Sequence, residues 1–266
     1  NLIAKELGLN GPFNIQFLAQ QNHIKVIECN ARGARSFPFV SKVVGLNLAD
    51  AATQVMIGEE PKLKRLNEDE LPYVGVKAAM FSFKRLMGAD PILGVEMAST
   101  GEVGCIGANF DEAILLALEA SGIRPPKKGI LISIGRELER VKMLRFINTL
   151  KSFGVPIYGT YGTARYFKDN PRLDITGLPR PDQVEGEERH VIDMIKDGAV
   201  DFVINVPKNM DRKEVTFGET LRKAATRFGC SLFTNMEKAL AYIQALESNP
   251  DFLNKHTLQS LPPYRN

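Results

Sequence analysis

Tryptophan is absent from this chain, and histidine and cysteine are scarce, at three each. The histidines, His23, His190 and His256, are scattered, so neither a zinc centre nor a histidine-based triad has support in the spacing. The cysteines, Cys29, Cys105 and Cys230, are odd in number and lack metal-ligand spacing. They read as free thiols in a reducing compartment, which points to the cytoplasm. No apolar run approaches the ~18 residues of a membrane-spanning helix. Charge is nearly balanced, with a formal net charge of +3, so nothing demands a nucleic acid or a membrane surface as partner. What remains, 44% hydrophobic and 24% charged over 266 residues, fits globular protein of about two domains. The chain opens at Asn1 without Met or a signal-peptide pattern, and 1–9 reads as the end of an amphipathic helix. The expectation is a piece of a larger polypeptide.

The densest chemistry lies in 14–42, NIQFLAQQNHIKVIECNARGARSFPFVSK. Two apolar runs flank the polar pair Gln21-Asn22, which predicts a β-hairpin. Residues i and i+2 share a strand face, so Glu28 and Asn30 point one way, and Gln16 on the partner strand can join them. Oxygen ligands on one sheet face suit Mg²⁺ (or Mn²⁺), which keeps water and nucleotide phosphates in its shell. A solvated hairpin face would carry the same residue types. Arg32 and Arg35 follow at once and suit planar, bidentate clamping of an anion.

Beyond the hairpin, Pro38 opens a helix, 47–58 continues in helical spacing to a cap at Gly58, and 62–70 is a charged, exposed connection. Residues 73–83 read as a strand in which Lys77 partners a nearby carboxylate, and 111–122 as a helix with Asp111 near its N-cap. Residues 123–128, with Pro125 and Pro126, read as a linker between a domain at 1–122 and another at 129–266. The second domain alternates strands (129–134, 155–158, 202–205, 231–233) with helices (140–153, from 164, 188–197, 219–228, 236–247). This predicts an α/β fold with a doubly wound parallel sheet. The tail 258–264 reads as an extended surface strip.

In such a sheet ligands bind beyond the C-terminal strand ends. Ser133, Thr160, Thr163 and Asn205 fall there, with Arg180 and Lys208 as added positive charge. The GTYGT turn at 159–163 leads into a helix and offers an anion pocket of N–H groups and exposed hydroxyls. Gly-Thr turns also serve simply as helix caps.

The run IECNARGARSFPFVSKVVG resembles the ATP-grasp domains of the carbamoyl phosphate synthetase large subunit, with the family's Asn-Pro-Arg step present as Asn30-Ala31-Arg32. Residues 96–103, EMASTGEV, match that subunit's EMxSTGEV signature. The second half resembles the methylglyoxal-synthase-like (MGS-like) domain that ends and regulates the same subunit. The resemblance implies the C-terminal part of an ATP-grasp domain followed by a Rossmann-like regulatory domain. It implies that Gln16, Glu28 and Asn30 hold Mg²⁺ and the phosphates of ATP, and that Arg32 and Arg35 face the bicarbonate or carbamate intermediate. It places Ser133, Thr160, Thr163 and Asn205 around an effector, to which Arg180 and Lys208 would add positive charge.

The implied enzyme is an ATP-dependent ligase of arginine or pyrimidine synthesis. It makes carbamoyl phosphate from bicarbonate, glutamine-derived ammonia and two ATP, with a glutaminase subunit or fused glutaminase domain as partner. The nucleotide-covering lobe is missing from the sequence, so this chain alone is expected to be inactive. The implied effector is small and anionic. Ala78 stands where ornithine-activated members carry Glu, Gly218 where acetylglutamate-activated members carry Asn, and Lys208 favours a phosphorylated ligand, a uridine nucleotide first. Other readings are a stand-alone effector-binding module or part of another ATP-grasp carboxylase or ligase. A homo-oligomer is compatible with all of them.

Overall fold

The computed structural model describes residues 2–61, 71–82, 88–92, 99–168, 173–184, 186–208 and 215–252, without the side chains of 215 and 216. The expected connection 62–70, positions 96–98 of the signature and the tail 258–264 lie outside these residues. The chain divides into two compact units between Gly75 and Val76.

The first unit holds a short helix α1 (Leu2–Glu6), strands β1 (Asn14–Gln20) and β2 (His23–Asn30), and helices α2 (Phe37–Val44) and α3 (Leu48–Met56). The strands pair antiparallel around Gln21 and Asn22, whose φ angles of 48° and 64° are both positive. That is the twist-matching two-residue hairpin turn, and asparagine tolerates it better than most side chains. The register slips between Gln16 and Phe17: Gln16 faces Glu28, but Phe17 faces Val26, leaving Ile27 as a bulge. Pro38 sits in the first turn of α2 as expected. Gly45, at φ 67°, ends that helix, and the Asn47 side chain accepts from the Asp50 N–H to start α3.

In the second unit β3 (Val74–Met80) and β4 (Gly101–Gly107) form a two-stranded sheet. Lys77 pairs with Glu102 across it at 2.5 Å. Helix α4 (Phe110–Ala120) starts one turn-position earlier than the sequence implied: Asn109 Oδ1 accepts from Glu112 N at 2.9 Å, and Asp111 lies inside the first turn. Then come β5 (Ile130–Ile134), α5 (Glu137–Leu144), α6 (Ile147–Ser152), β6 (Ile157–Thr160), α7 (Tyr161–Lys168), β7 (Thr176–Leu178), α8 (Val191–Lys196), β8 (Phe202–Val206), α9 (Val215–Arg227), β9 (Ser231–Phe233) and α10 (Met236–Ser248). The five strands form one parallel sheet in the order β7-β6-β5-β8-β9. This is a doubly wound α/β sheet of the Rossmann type.

Alternation along β5 and β8 sorts the sheet's two faces. Ile130, Ile132, Ile134, Phe202 and Ile204 join one core with α4, α6 and α10; Leu131 and Val203 join the other with α8 and α9. Leu115 and Leu118 of α4 are buried in the first core, so the core extends across the segment expected to be a linker. That segment is tied down: Ser231 Oγ accepts from Arg124 N at 2.7 Å and donates to Arg124 O at 2.8 Å. The Asp201 carboxylate receives the N–H groups of Lys127, Lys128 and Gly129.

The single helix expected over 140–153 is two, with a break at Arg145 and Phe146. A stripe advancing by threes drifts around a 3.6-residue turn. The break resets it, so that Met143, Phe146, Ile147 and Leu150 are buried while Val141 is 48% exposed. The sequence predicts neither β4, which holds three glycines, nor the three-residue β7.

Candidate functional sites

The hairpin brings its three expected ligands together. Gln16 is the direct cross-strand neighbour of Glu28, and Asn30 Nδ2 donates to Glu28 Oε1 at 2.9 Å. That bond holds the Asn30 amide against the carboxylate. The donor set is one carboxylate and two amides, all oxygen donors, which fits a hard cation that shares its charge with phosphate groups. Gln16 and Glu28 are exposed and Asn30 half-buried. The bulge at Ile27 beside them breaks the strand alternation, so Lys25, paired with Leu18, falls on the face of Gln16 and Glu28. Arg32 and Arg35 lie in the connection from β2 to α2, both exposed. Arg32 Nη1 contacts Gly33 O at a long 3.4 Å.

In the second unit the strand order reverses between β5 and β8, which opens a crevice at their C-terminal ends. Ser133 pairs with Asn205 across that line. The β5–β6 register, carried one step on from Ile132↔Gly159, sets Thr160 on the other side of Ser133. Thr160, Ser133 and Asn205 therefore form a polar row across three strands, on the face that α8 and α9 cover. Ser133 lies within β5 rather than after it.

Thr163 departs from expectation. It was read as an exposed turn hydroxyl, but it is 1% exposed, and its Oγ1 accepts from Ile134 N at 3.0 Å and from Thr160 Oγ1 at 3.2 Å. The hydroxyl locks the end of β5 to the start of α7. Thr160 reaches the row, and Thr163 holds it in place.

Lys208 is exposed, just after β8. Its carbonyl accepts from Arg136 Nε, and its backbone crosses so close to Gly135 that a Cβ there would lie 2.5 Å from Lys208 N. Only glycine fits that crossing. Arg180 lies half-buried after β7, with its guanidinium 5.4 Å from the Phe217 ring and its Nε 3.4 Å from Gln183 Oε1. A cavity of about 740 Å³ lies between Tyr161, Arg165 and Lys168 of α7 and Leu173, Asp174 and Gly177; Ser133, Thr160 and Asn205 do not line it.

Sequence reasoning missed one group. Arg222 on α9 is 3% exposed. Its Nη1 donates to Asn205 Oδ1 at 2.8 Å, and its Nε and Nη2 donate to the two carboxylate oxygens of Asp90 at 2.6 and 2.5 Å. The signal was present: Gly218, Leu221, Arg222 and Ala225 share one helical face, and a charge inside such a stripe needs a partner. Burial raises the Asp90 carboxyl, but hydrogen bonds and charge from Arg222 outweigh it and hold the group below the usual carboxylate range. A lowered native pKa gives stability that is present above the unfolded value of about 3.9 and is lost as pH falls through the native one. Urea midpoints of wild type and Asp90→Asn should thus differ by a constant gap from pH 7 to 5, and the gap should close below about pH 4.

These features define a class: a hairpin with a carboxylate and two amides together, and a Rossmann-like parallel sheet with a polar row at its switch point. Residues 2–65 match the family "Carbamoyl-phosphate synthase L chain, ATP binding domain", and 142–234 match the "MGS-like domain". The chain is 43% identical to the mitochondrial ammonia-type carbamoyl-phosphate synthase of Aquarana catesbeiana over 94% of its length, covering 17% of that protein. It is 41% identical to the multifunctional protein ura1 of Schizosaccharomyces pombe over 94% of its length, covering 11% of it. The human mitochondrial ammonia-type synthase is 40% identical over 93%, covering 17%. The chain belongs to the carbamoyl-phosphate synthase family. It spans between a tenth and a fifth of the length of these relatives. Among the described residues no helix is long and apolar enough to cross a membrane.

Proposed function

We propose that this chain is the C-terminal part of a carbamoyl-phosphate synthase large subunit, pairing a catalytic hairpin with an effector-binding domain. The observation that carries the catalytic half is the register of Gln16 opposite Glu28, with Asn30 bonded to the same carboxylate. Gln16, Glu28 and Asn30 would hold Mg²⁺ or Mn²⁺ against the phosphates of ATP. The bound metal would supply neutralisation of phosphate charge. Arg32 and Arg35 would orient the carbonate-derived anion. The whole protein would make carbamoyl phosphate from bicarbonate, ATP and ammonia released from glutamine by a glutaminase subunit or fused domain, in the cytoplasm. The alternative of another ATP-grasp ligase has no observation in its favour. On its own the chain should form no carbamoyl phosphate from ATP, bicarbonate and ammonia; metal-dependent product from the purified chain would overturn that reading.

The second unit we read as the effector domain, with Thr160, Ser133 and Asn205 facing the ligand, and Lys208 and Arg180 as the cations at the rim. The ligand is a small phosphorylated anion, a uridine nucleotide before acetylglutamate or ornithine. Thermal unfolding of the 266-residue chain tests this. A ligand that binds only the folded state raises the midpoint in proportion to its saturation. UMP at about 100 times its Kd should raise Tm by several degrees, and acetylglutamate and ornithine should do so less. No shift with UMP defeats the uridine reading.

A further inference from the structure

Arg222 is a buried cation on α9. A buried ion pair seldom gains stability over well-packed apolar side chains, because desolvation of both partners offsets their attraction. Its position carries the information. One edge of the guanidinium is held by both oxygens of Asp90, and the remaining nitrogen reaches Asn205 Oδ1, in the strand-end row. Asp90 is itself fixed, with Oδ1 accepting from Ile92 N at 3.2 Å. At Gly218 a Cβ would lie 2.8 Å from Arg222 Nη1. The glycine thus makes room for the guanidinium to reach Asn205. With its oxygen turned to Arg222, Asn205 has its NH₂ turned to the row, where its one partner among the described residues, Ser133 O, is at a long 3.4 Å. A ligand acceptor would compete well for that donor.

We propose that Arg222 is a positioning residue: Asp90 fixes its guanidinium, the guanidinium fixes the Asn205 amide as a donor into the row, and occupancy of the row is thereby coupled to the Gly88–Ile92 segment. The ligand part of this rests on the effector reading above; the coupling of Asp90 to Asn205 does not.

Two measurements test it. The first needs no ligand. In the 266-residue chain, Asp90→Asn and Asn205→Ala should lower Tm non-additively, the double variant losing clearly less than the sum. The Asn205 side-chain NH₂ resonances should move in Asp90→Asn and in Arg222→Lys, which keeps the charge but not the planar fork. A purely structural role for the pair would leave those resonances in place. An additive cycle with unmoved resonances overturns the coupling, and Arg222→Lys supplies the reading if Asn205→Ala does not fold. The second uses the full-length synthase with UMP as probe. Asp90→Asn should bind UMP more weakly than wild type by calorimetry and, even at saturating UMP, lose roughly tenfold of the UMP-induced change in KM for ATP, the scale of ordinary allosteric coupling. A full response in Asp90→Asn overturns the proposal. If wild type binds no UMP, the uridine reading falls, and the first measurement still decides the role of Arg222.

Discussion

Glu28→Gln in the full-length synthase is expected to cut carbamoyl phosphate formation by about 10²-fold or more, the cost of losing one group that stabilises transition-state charge. The fold should be unaffected. Glu28 is exposed, and glutamine keeps an amide oxygen to accept from Asn30 Nδ2. Far-ultraviolet circular dichroism and Tm should therefore match wild type while turnover collapses. Raising Mg²⁺ should recover part of the loss, since the change removes charge from the donor set rather than shape. Lys25→Ala, on the same face beyond the bulge, should change turnover by far less, because no bond links it to the ligand set in this structure. A well-folded Glu28→Gln enzyme with undiminished synthesis would remove the hairpin from the mechanism.

Thr163→Val is expected to destabilise the chain by about 1–3 kcal/mol, the cost of leaving a buried donor without its acceptor. The orphaned group is Ile134 N–H, which now donates to Thr163 Oγ1 at 3.0 Å. Valine keeps the volume, so cavity formation adds nothing. Thr160→Val should behave in the opposite way. Among the described residues its hydroxyl serves only Thr163 Oγ1, so stability should fall by less than about 1 kcal/mol while UMP binding weakens more. Chemical denaturation of both variants, with and without UMP, separates the two roles. Equal stability losses would mean that the two hydroxyls do the same job.

The hairpin was legible because its chemistry lies within one local element. Alternation fixes Glu28 beside Asn30, but the two-residue turn alone would set Gln16 opposite Ile27, and it is the bulge at Ile27 that brings Gln16 across from Glu28. The parallel sheet was legible because strands covered on both faces read as continuous apolar runs, as in 129–134. Less accessible were features made by packing between distant segments. Nothing near Thr163 reveals that its hydroxyl faces Ile134. Arg222 stands in an apolar helical stripe, but its partner Asp90 lies far upstream, where no local pattern links the two. The bulge at Ile27 was hidden because an extra residue leaves no compositional mark. Segment 123–128 has a linker's composition, and only Asp201 and Ser231 reveal that its backbone is pinned.

Helix α4 has a consequence for how the chain is made. Its partner across the core is α10, which follows it by the whole length of the sheet. At about 5–20 residues per second of translation, α4 waits on the order of ten seconds before α10 exists. Leu115 and Leu118 spend that interval without their final cover. A ribosome stalled between β8 and α10 should present this stripe to chaperones, and release of α10 from the exit tunnel should end the exposure.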